Sequence, residues 1–182
     1  WRPNFNAIPT SEWERLRLMI FGFPHNPTAS VGEQNWLDEA MNIGLRNNCF
    51  VAHDNPYVDL ALEGESPALL YSDGWRKGGI EFFSFSKGWC MGGLRIAFAI
   101  GAEPLISALR DLKGVVDFNN SLALQRGAIV ALTQEPSWPK KILKIYRERR
   151  DVTSKALEDI GWHLRIPSMA IYLWMPIPEW AK

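Results

Sequence analysis

A lysine and an arginine flank a glycine-rich turn near the middle of the chain. Lys87 follows a short apolar run, Ile80 to Phe85, and Arg95 precedes a second run, Ile96 to Ile100. Brief aromatic-rich runs bounded by glycines predict buried strands. A lysine at the end of a buried strand can be desolvated, so that its free amine attacks an aldehyde. The alternative is a lysine on a solvated loop, where most lysines lie.

Two serines immediately before the lysine extend this chemistry. Ser84 and Ser86 supply hydroxyl groups, and Arg95 supplies a guanidinium that can bind a phosphate through two parallel hydrogen bonds. The segment therefore predicts an amine beside a phosphate site, at a turn between strands of the kind that α/β proteins use for ligands.

The elements upstream predict a parallel sheet that would position further polar groups. The apolar run at residues 16–23 predicts a buried strand, and the run at residues 49–53 predicts a second strand. Apolar residues at helical spacing predict a helix over residues 33–47 between them. Strand, helix and strand in this order predict a parallel crossover. The glycine-rich turn after Lys87 is too short for a helical crossover, so the strands on either side of it should be antiparallel neighbours.

Each predicted strand ends in polar residues. Asn26 follows the first strand, Asp54 and Tyr57 follow the second, and Lys87 follows the third. Since the carboxyl ends of parallel strands meet at one edge of a sheet, these side chains should converge. An amine, a carboxylate, a phenol, an amide and a phosphate site together fit pyridoxal 5′-phosphate: the lysine for its aldehyde, the aspartate for its pyridine nitrogen, and the phenol and amide for its ring oxygen.

The second half of the chain predicts helices followed by two strands. Pro104 begins one helix, and two further helices are predicted over Ser121–Leu132 and Pro139–Ile160. Two strands of a small sheet are then predicted at Trp162–Ile166 and Ala170–Met175.

Composition excludes few classes of protein, but it bears on which binding partners the protein has. The 20 basic residues balance 20 acidic ones, so net charge indicates neither nucleic acid nor an anionic membrane as a partner. Cys49 and Cys90 lie in or beside apolar segments without metal-ligand spacing. They favour buried thiols in a reducing compartment such as the cytoplasm, and no metal site is predicted.

Together these motifs resemble the class I/II aminotransferases of the fold-type I pyridoxal-phosphate enzymes, nearest the aspartate and LL-diaminopimelate aminotransferase branch. The resemblance runs from Phe23 to the C-terminus. Its motifs are the Asn26-Pro-Thr loop, Asp54 with Tyr57 three positions later, and the Ser84-Phe-Ser-Lys87 segment followed by Arg95.

The resemblance implies a fold and a set of roles. The fold would be a three-layer α/β sandwich with a mostly parallel sheet, in which residues 1–135 form half of a cofactor-binding large domain. Residues 136–182 would begin an α+β small domain. The residues implied to bind pyridoxal phosphate are Asn26, Asp54, Tyr57, Ser84, Ser86, Lys87 and Arg95, with Lys87 also catalytic. The implied activity is amino transfer between an amino acid and a 2-oxo acid, in a homodimer.

The chain also departs from the family pattern. Ala29 and Ala97 stand where the family usually has glycine. By resemblance, the family's N-terminal arm, its phosphate-binding loop, its cofactor-stacking aromatic and the arginine that grips the substrate carboxylate are missing. We therefore expect a fragment that is inactive alone.

Two other functions use the same residues. One is a different fold-type I reaction, of the C–S lyase or cyclopropane-carboxylate synthase type. The other is a non-catalytic, cofactor-binding sensor domain of a transcription regulator. Products made only in the presence of a 2-oxo acid acceptor would indicate transamination, and an upstream DNA-binding segment would indicate the sensor.

Overall fold

The structure, a computed structural model, describes residues 2–182, and its centre is a sheet with strand order β1-β2-β3-β4. The strands are β1 (Leu18–Gly22), β2 (Phe50–Asp54), β3 (Gly79–Ser84) and β4 (Ala97–Gly101). β1, β2 and β3 are parallel, and β4 runs antiparallel to β3. The predicted parallel crossover and the antiparallel last pair are both confirmed, as is an α/β fold with a mostly parallel sheet.

The longer helices lie where apolar periodicity predicts them, and two short helices occur in addition. They are α1 (Thr10–Trp13), α2 (Gln34–Arg46), α3 (Trp75–Gly78), α4 (Glu103–Val116), α5 (Leu122–Gln134) and α6 (Trp138–Asp159). Gly161, just after α6, has a φ of 80° and ends the helix in the left-handed conformation that glycine adopts without steric cost. No helix within residues 2–182 has the length and apolar composition needed to cross a membrane.

The main core lies between α2 and the first two strands. Leu37 and Met41 on α2 pack against Met19 on β1 and Val51 on β2, all almost fully buried. Leu18 and Ile20, which alternate with Met19 along β1, point away from this core and are 43% and 69% exposed. The strand predicted here is therefore correct, whereas its complete burial is not.

The segment after α6 corrects one prediction. The residues predicted as strands, 162–166 and 170–175, form no strand; only a single bridge pairs Met169 with Ala61. Ser168 accepts a hydrogen bond from Glu63 N–H (2.8 Å) and Ala170 donates one to Leu60 (3.0 Å), so the backbone pairs with the loop after β2. A segment with apolar alternation forms a strand only when another strand lies beside it, and neither of these two segments has such a neighbour.

The two cysteines differ in their exposure to solvent. Cys49 is buried as expected, whereas Cys90 is exposed, in the turn after Lys87. The prediction of two buried thiols is therefore wrong for Cys90, because the apolar residues around it belong to a surface turn.

Candidate cofactor site

All the candidate residues lie near one edge of the sheet. In the register of the strands, Gly22 at the end of β1 lies beside Asp54 at the end of β2, and Asp54 lies beside Phe82 near the end of β3. Because β4 is antiparallel, its first residue, Ala97, pairs with Ser84. The loops that carry Asn26, Lys87 and Arg95 therefore leave or enter the sheet at the same edge, as the sequence predicts.

The loop after β1 is a compact turn that exposes Asn26. His25 N–H donates to Ser30 O and Ala29 N–H donates to His25 O, both at 2.8 Å, which closes the loop on itself. Ala29 is buried with a φ of 53°, a left-handed conformation that costs a residue with a Cβ about 1 kcal/mol. This conformation explains why glycine suits that position in the family. The Asn26 side chain has no hydrogen-bonding partner within residues 2–182.

Asp54 ends β2 with its carboxyl group open to ligand. The side chain reaches solvent, yet the protein around the carboxyl raises its pKa by desolvation, and the charge of His53 opposes that shift. No hydrogen bond or ion pair holds the carboxylate within the described chain. A partly desolvated carboxylate without a partner suits a cationic ligand group such as a protonated ring nitrogen.

The desolvation of Asp54 predicts a pH-dependent stability difference. Its pKa is higher in the folded protein than in the unfolded chain, so its stabilising contribution is full below the unfolded-state pKa. That contribution is lost as the pH rises through the folded-state pKa. Asp54→Asn should therefore make the cofactor-free protein more stable than the wild type at neutral pH, with a smaller difference in acid, measured by urea unfolding. Asp73→Asn, at an exposed surface position, is the control, and a destabilised Asp54→Asn at neutral pH would contradict the prediction.

Tyr57 is buried and paired with a second phenol. Its hydroxyl hydrogen-bonds to that of Tyr172, and the two rings meet edge to face with centroids 5.6 Å apart. Burial, followed by the hydrogen bond with Tyr172, raises the pKa of Tyr57. If Tyr172 donates, the hydrogen of the Tyr57 hydroxyl is free for a ligand. The raised pKa keeps the Tyr57 phenol neutral at physiological pH.

The turn after β3 presents the lysine. Ser84 Oγ accepts a hydrogen bond from Ser86 N–H (3.1 Å), and Lys87 O accepts one from Cys90 N–H (3.2 Å). Lys87 is half-buried, and no side chain of residues 2–182 pairs with its Nζ atom. Its amine is thus available to a ligand, unlike an amine that an ion pair holds at the surface.

A partly buried contact holds this turn against the loop after β2. Trp89 Nε1–H donates to Asp59 Oδ2 at 3.1 Å, and Gly88 is buried directly against the Asp59 side chain. Burial raises the pKa of Asp59, and the hydrogen bond from Trp89 opposes that shift. The backbone next to Lys87 is therefore fixed to the loop after β2.

Gly88→Ala should disturb this support. An added Cβ would lie 2.5 Å from Asp59 Cβ and 2.9 Å from its Oδ2, so Asp59 must move and its bond to Trp89 must weaken. We expect a loss of about 1–3 kcal/mol in the free energy of unfolding, together with weaker cofactor binding. Gly93→Ala, in the same turn with open space around its Cβ, is the matched control. Equal effects of the two substitutions would contradict the proposed support.

Arg95 enters the site from the opposite side of the turn. It has a φ of 51°, its Nη1 donates to Gly92 O (2.9 Å), and Asn120 Nδ2 donates to its backbone carbonyl (3.0 Å). The guanidinium is exposed and retains N–H donors for an anion.

The donors at this edge fit pyridoxal phosphate. A free amine can react with its aldehyde, a carboxylate without a partner can pair with its protonated ring nitrogen, and a guanidinium can bind its phosphate. The Ser84 hydroxyl hydrogen is also available, since its oxygen acts as an acceptor in the turn.

Sequence reasoning missed several residues at the site. Tyr172 lies in a segment that the sequence predicts as a strand, and no motif marks Asp59 or the buried pair His53 and Glu81 as part of a site. One signal was present: Glu81 lies inside the apolar run Ile80 to Phe85, and a carboxylate in a buried strand requires a partner. The partners lie on other strands, so only the register identifies them.

An α/β fold with a site that fits pyridoxal phosphate defines a class of enzyme, and comparison with known sequences identifies the family. The sequence profile of the family "Aminotransferase class I and II" matches residues 6–181, so the chain belongs to that family. Among curated relatives, LL-diaminopimelate aminotransferase of Dehalococcoides mccartyi is 36% identical over 97% of this chain and 46% of its own length. Glutamate-pyruvate aminotransferase AlaC of Escherichia coli is 36% identical over 92% of this chain and 41% of its own length.

Solved structures give the same fold. BacF of Bacillus subtilis superposes with a TM-score of 0.91 at 29% identity, covering 99% of this chain and 46% of the BacF chain. A probable N-succinyldiaminopimelate aminotransferase of Thermus thermophilus gives 0.85 at 32% identity, covering 97% of this chain and 48% of that one. The present chain thus spans about half the length of the proteins it matches.

Proposed function

We propose that the protein is a pyridoxal-phosphate-dependent aminotransferase that transfers an amino group between an amino acid and a 2-oxo acid. The observation that carries the proposal is the position of Lys87. Its amine has no partner within residues 2–182 and lies at the sheet edge to which Asp54 and the Arg95 loop also belong. Membership of the aminotransferase family supports the same activity.

Each residue at the edge takes a role that its surroundings suit. Asp54 holds a proton on the ring nitrogen, because a carboxylate stabilises the protonated form of a nearby base. Tyr57 donates its hydroxyl hydrogen to the ring oxygen, and Asn26 contacts the same oxygen. Ser84 and Arg95 bind the phosphate, with Ser86 as a further hydroxyl ligand. When bound, pyridoxal phosphate supplies an aldehyde for covalent attachment and a ring that accepts electrons.

Lys87 has two tasks in this scheme. Its Nζ atom holds the cofactor in the resting protein. Once the amino acid has released it, the free amine would take the proton from the substrate α-carbon as general base. It would then deliver that proton, as general acid, to the carbon of the cofactor's former aldehyde group. The half-buried position of Lys87 limits water around that proton.

Substrates, assembly and domain organisation are part of the same proposal. Relatives that act on diaminopimelate and glutamate support an acidic or diamino-acid donor of the aspartate, glutamate or diaminopimelate kind. We propose a cytoplasmic homodimer that takes no nucleic acid and no membrane as a partner. Residues 1–135 belong to the cofactor-binding large domain, and residues 136–182 begin the small domain.

An absorption titration of the full-length protein tests the proposal. Adding pyridoxal phosphate should produce a visible band, and adding an amino donor should bleach it. A 2-oxo acid should restore the band, with one new amino acid formed for each donor consumed. An oxo acid formed without any acceptor would indicate elimination, and a band that no amino acid changes would indicate a sensor; either result would overturn the aminotransferase assignment. A full-length protein that develops no band would overturn the cofactor assignment as well.

A further inference from the structure

A histidine and a glutamate are buried together beneath the candidate site. His53 on β2 and Glu81 on β3 lie opposite one another in the register of the sheet. Both side chains are 0% exposed, and His53 Nδ1 lies 2.8 Å from Glu81 Oε1. Burying two ionisable groups is costly unless each is paired and fully hydrogen-bonded. The other hydrogen bonds of the two side chains therefore decide whether the pair is charged or neutral.

The surrounding groups favour a charged pair. His53 Nε2 lies 3.0 Å from the carbonyl oxygen of Phe23, which can only accept, so Nε2 carries a hydrogen. Glu81 Oε1 accepts from Asn55 Nδ2 (2.9 Å), and Oε2 accepts from Leu70 N–H (3.1 Å). A carboxylate faced only by donors is best satisfied when ionised, and Nδ1 then supplies the third hydrogen. With the imidazole charged and the carboxyl group ionised, each of these contacts joins a donor to an acceptor.

The pair joins β2 to β3 and to the residue that follows β1. His53 immediately precedes Asp54, and the carbonyl it binds belongs to Phe23, three residues before Asn26. Glu81 lies on the strand that leads to Lys87. The register neighbours of Asp54 are Gly22 and Phe82, which carry no charge, and the charged group that acts on Asp54 is His53. Asp54 in turn raises the pKa of the neighbouring Tyr57.

We infer that His53 and Glu81 form a positioning pair for the cofactor site. The pair holds the ends of β1, β2 and β3 in register, and its imidazolium keeps the adjacent Asp54 carboxylate ionised for a cationic ring nitrogen. The second role rests on the proposed cofactor, whereas the charge state of the pair does not.

The charge state can be measured without cofactor. In full-length protein labelled with ¹⁵N-histidine, the difference spectrum between wild type and His53→Asn identifies the His53 ring nitrogens. Both should carry a proton at neutral pH, and in Glu81→Gln only one should, because the counter-charge is gone. A singly protonated His53 in the wild type would overturn the inference even if the Glu81 variant does not fold.

The effect on Asp54 is measured by the pH dependence of pyridoxal-phosphate affinity. As the pH falls, affinity should drop as Asp54 becomes protonated. In Glu81→Gln the midpoint should move toward higher pH by about one unit, because a nearby positive charge is lost. The control is Met41→Ala, a cavity in the core beneath α2, which should lower the melting temperature without moving the midpoint. Identical midpoints in Glu81→Gln and wild type would overturn the electrostatic role. A wild type that binds no pyridoxal phosphate would instead refute the proposed function and leave the ¹⁵N result standing.

Discussion

Replacing Lys87 with alanine is expected to lower kcat/KM for amino transfer by about 10⁴-fold or more, because one side chain both holds the cofactor and moves the proton. The fold should be unaffected, since the Lys87 side chain is half-buried and its Nζ pairs with no other residue in the described chain. Steady-state assays with a saturating amino donor, together with the visible absorption band of the bound cofactor, measure both effects. The band should be lost while the thermal unfolding curve stays within a few degrees of wild type.

Two further variants separate chemistry from charge. Lys87→Arg keeps a cation near the proposed phosphate ligands but lacks a deprotonatable amine, because a guanidinium stays charged at all relevant pH values. It should be as inactive as the alanine variant. Lys77→Ala removes an exposed lysine just before β3 and should leave kcat/KM unchanged. Activity of Lys87→Arg within tenfold of wild type would remove Lys87 from the proposed proton transfer.

The order of the site along the chain could be predicted because it follows from local patterns. Apolar runs that end in Asn26, Asp54 and Lys87 each predict a strand with a polar end, and a helix between the first two makes those strands parallel. Parallel strands bring their carboxyl ends to one edge whatever the exact register. The convergence of these loops was therefore predictable from a single sequence.

Features that depend on contacts between distant segments could not be predicted in this way. Whether the segment containing Tyr172 forms a strand depends on a neighbouring strand, and here the backbone around Ala170 pairs with the loop at Leu60. The exposure of Ile20 depends likewise on what covers that face of β1. Composition and periodicity indicate which residues suit burial, but they do not indicate which elements pack against each other.

The buried pair shows the same limit at the level of chemistry. Glu81 in an apolar run indicates that a partner exists, and several polar residues in the chain could serve. Only the register, which places His53 opposite Glu81, selects one of them. The donors that complete the carboxylate come from Asn55 and Leu70, on the segments after β2 and before β3. Such a network is visible only in three dimensions.

Removing one member of this pair should be among the most destabilising single changes in the chain. Glu81→Leu leaves the imidazole without its acceptor, and His53→Leu leaves the carboxylate without its counter-charge. Each substitution should cost about 3–5 kcal/mol in the free energy of unfolding, because an uncompensated ionisable group stays buried. Urea unfolding of the cofactor-free full-length protein measures both values.

The double variant His53→Leu/Glu81→Leu should be much more stable than the sum of the two losses predicts. With both charges gone, the remaining costs are three unpaired groups, the Phe23 carbonyl, the Leu70 N–H and one hydrogen of Asn55 Nδ2. Each costs about 1–3 kcal/mol, partly offset by the added apolar contacts. The coupling energy between the two sites should therefore be at least about 2 kcal/mol, typical of residues in direct contact. Glu81→Leu combined with Ile142→Ala should be additive, because Ile142 lies on α6, in a hydrophobic cluster that does not include the pair. An additive His53/Glu81 cycle would mean that the two side chains do not form a charged pair, and the donors around Glu81 would then be satisfied without the imidazolium.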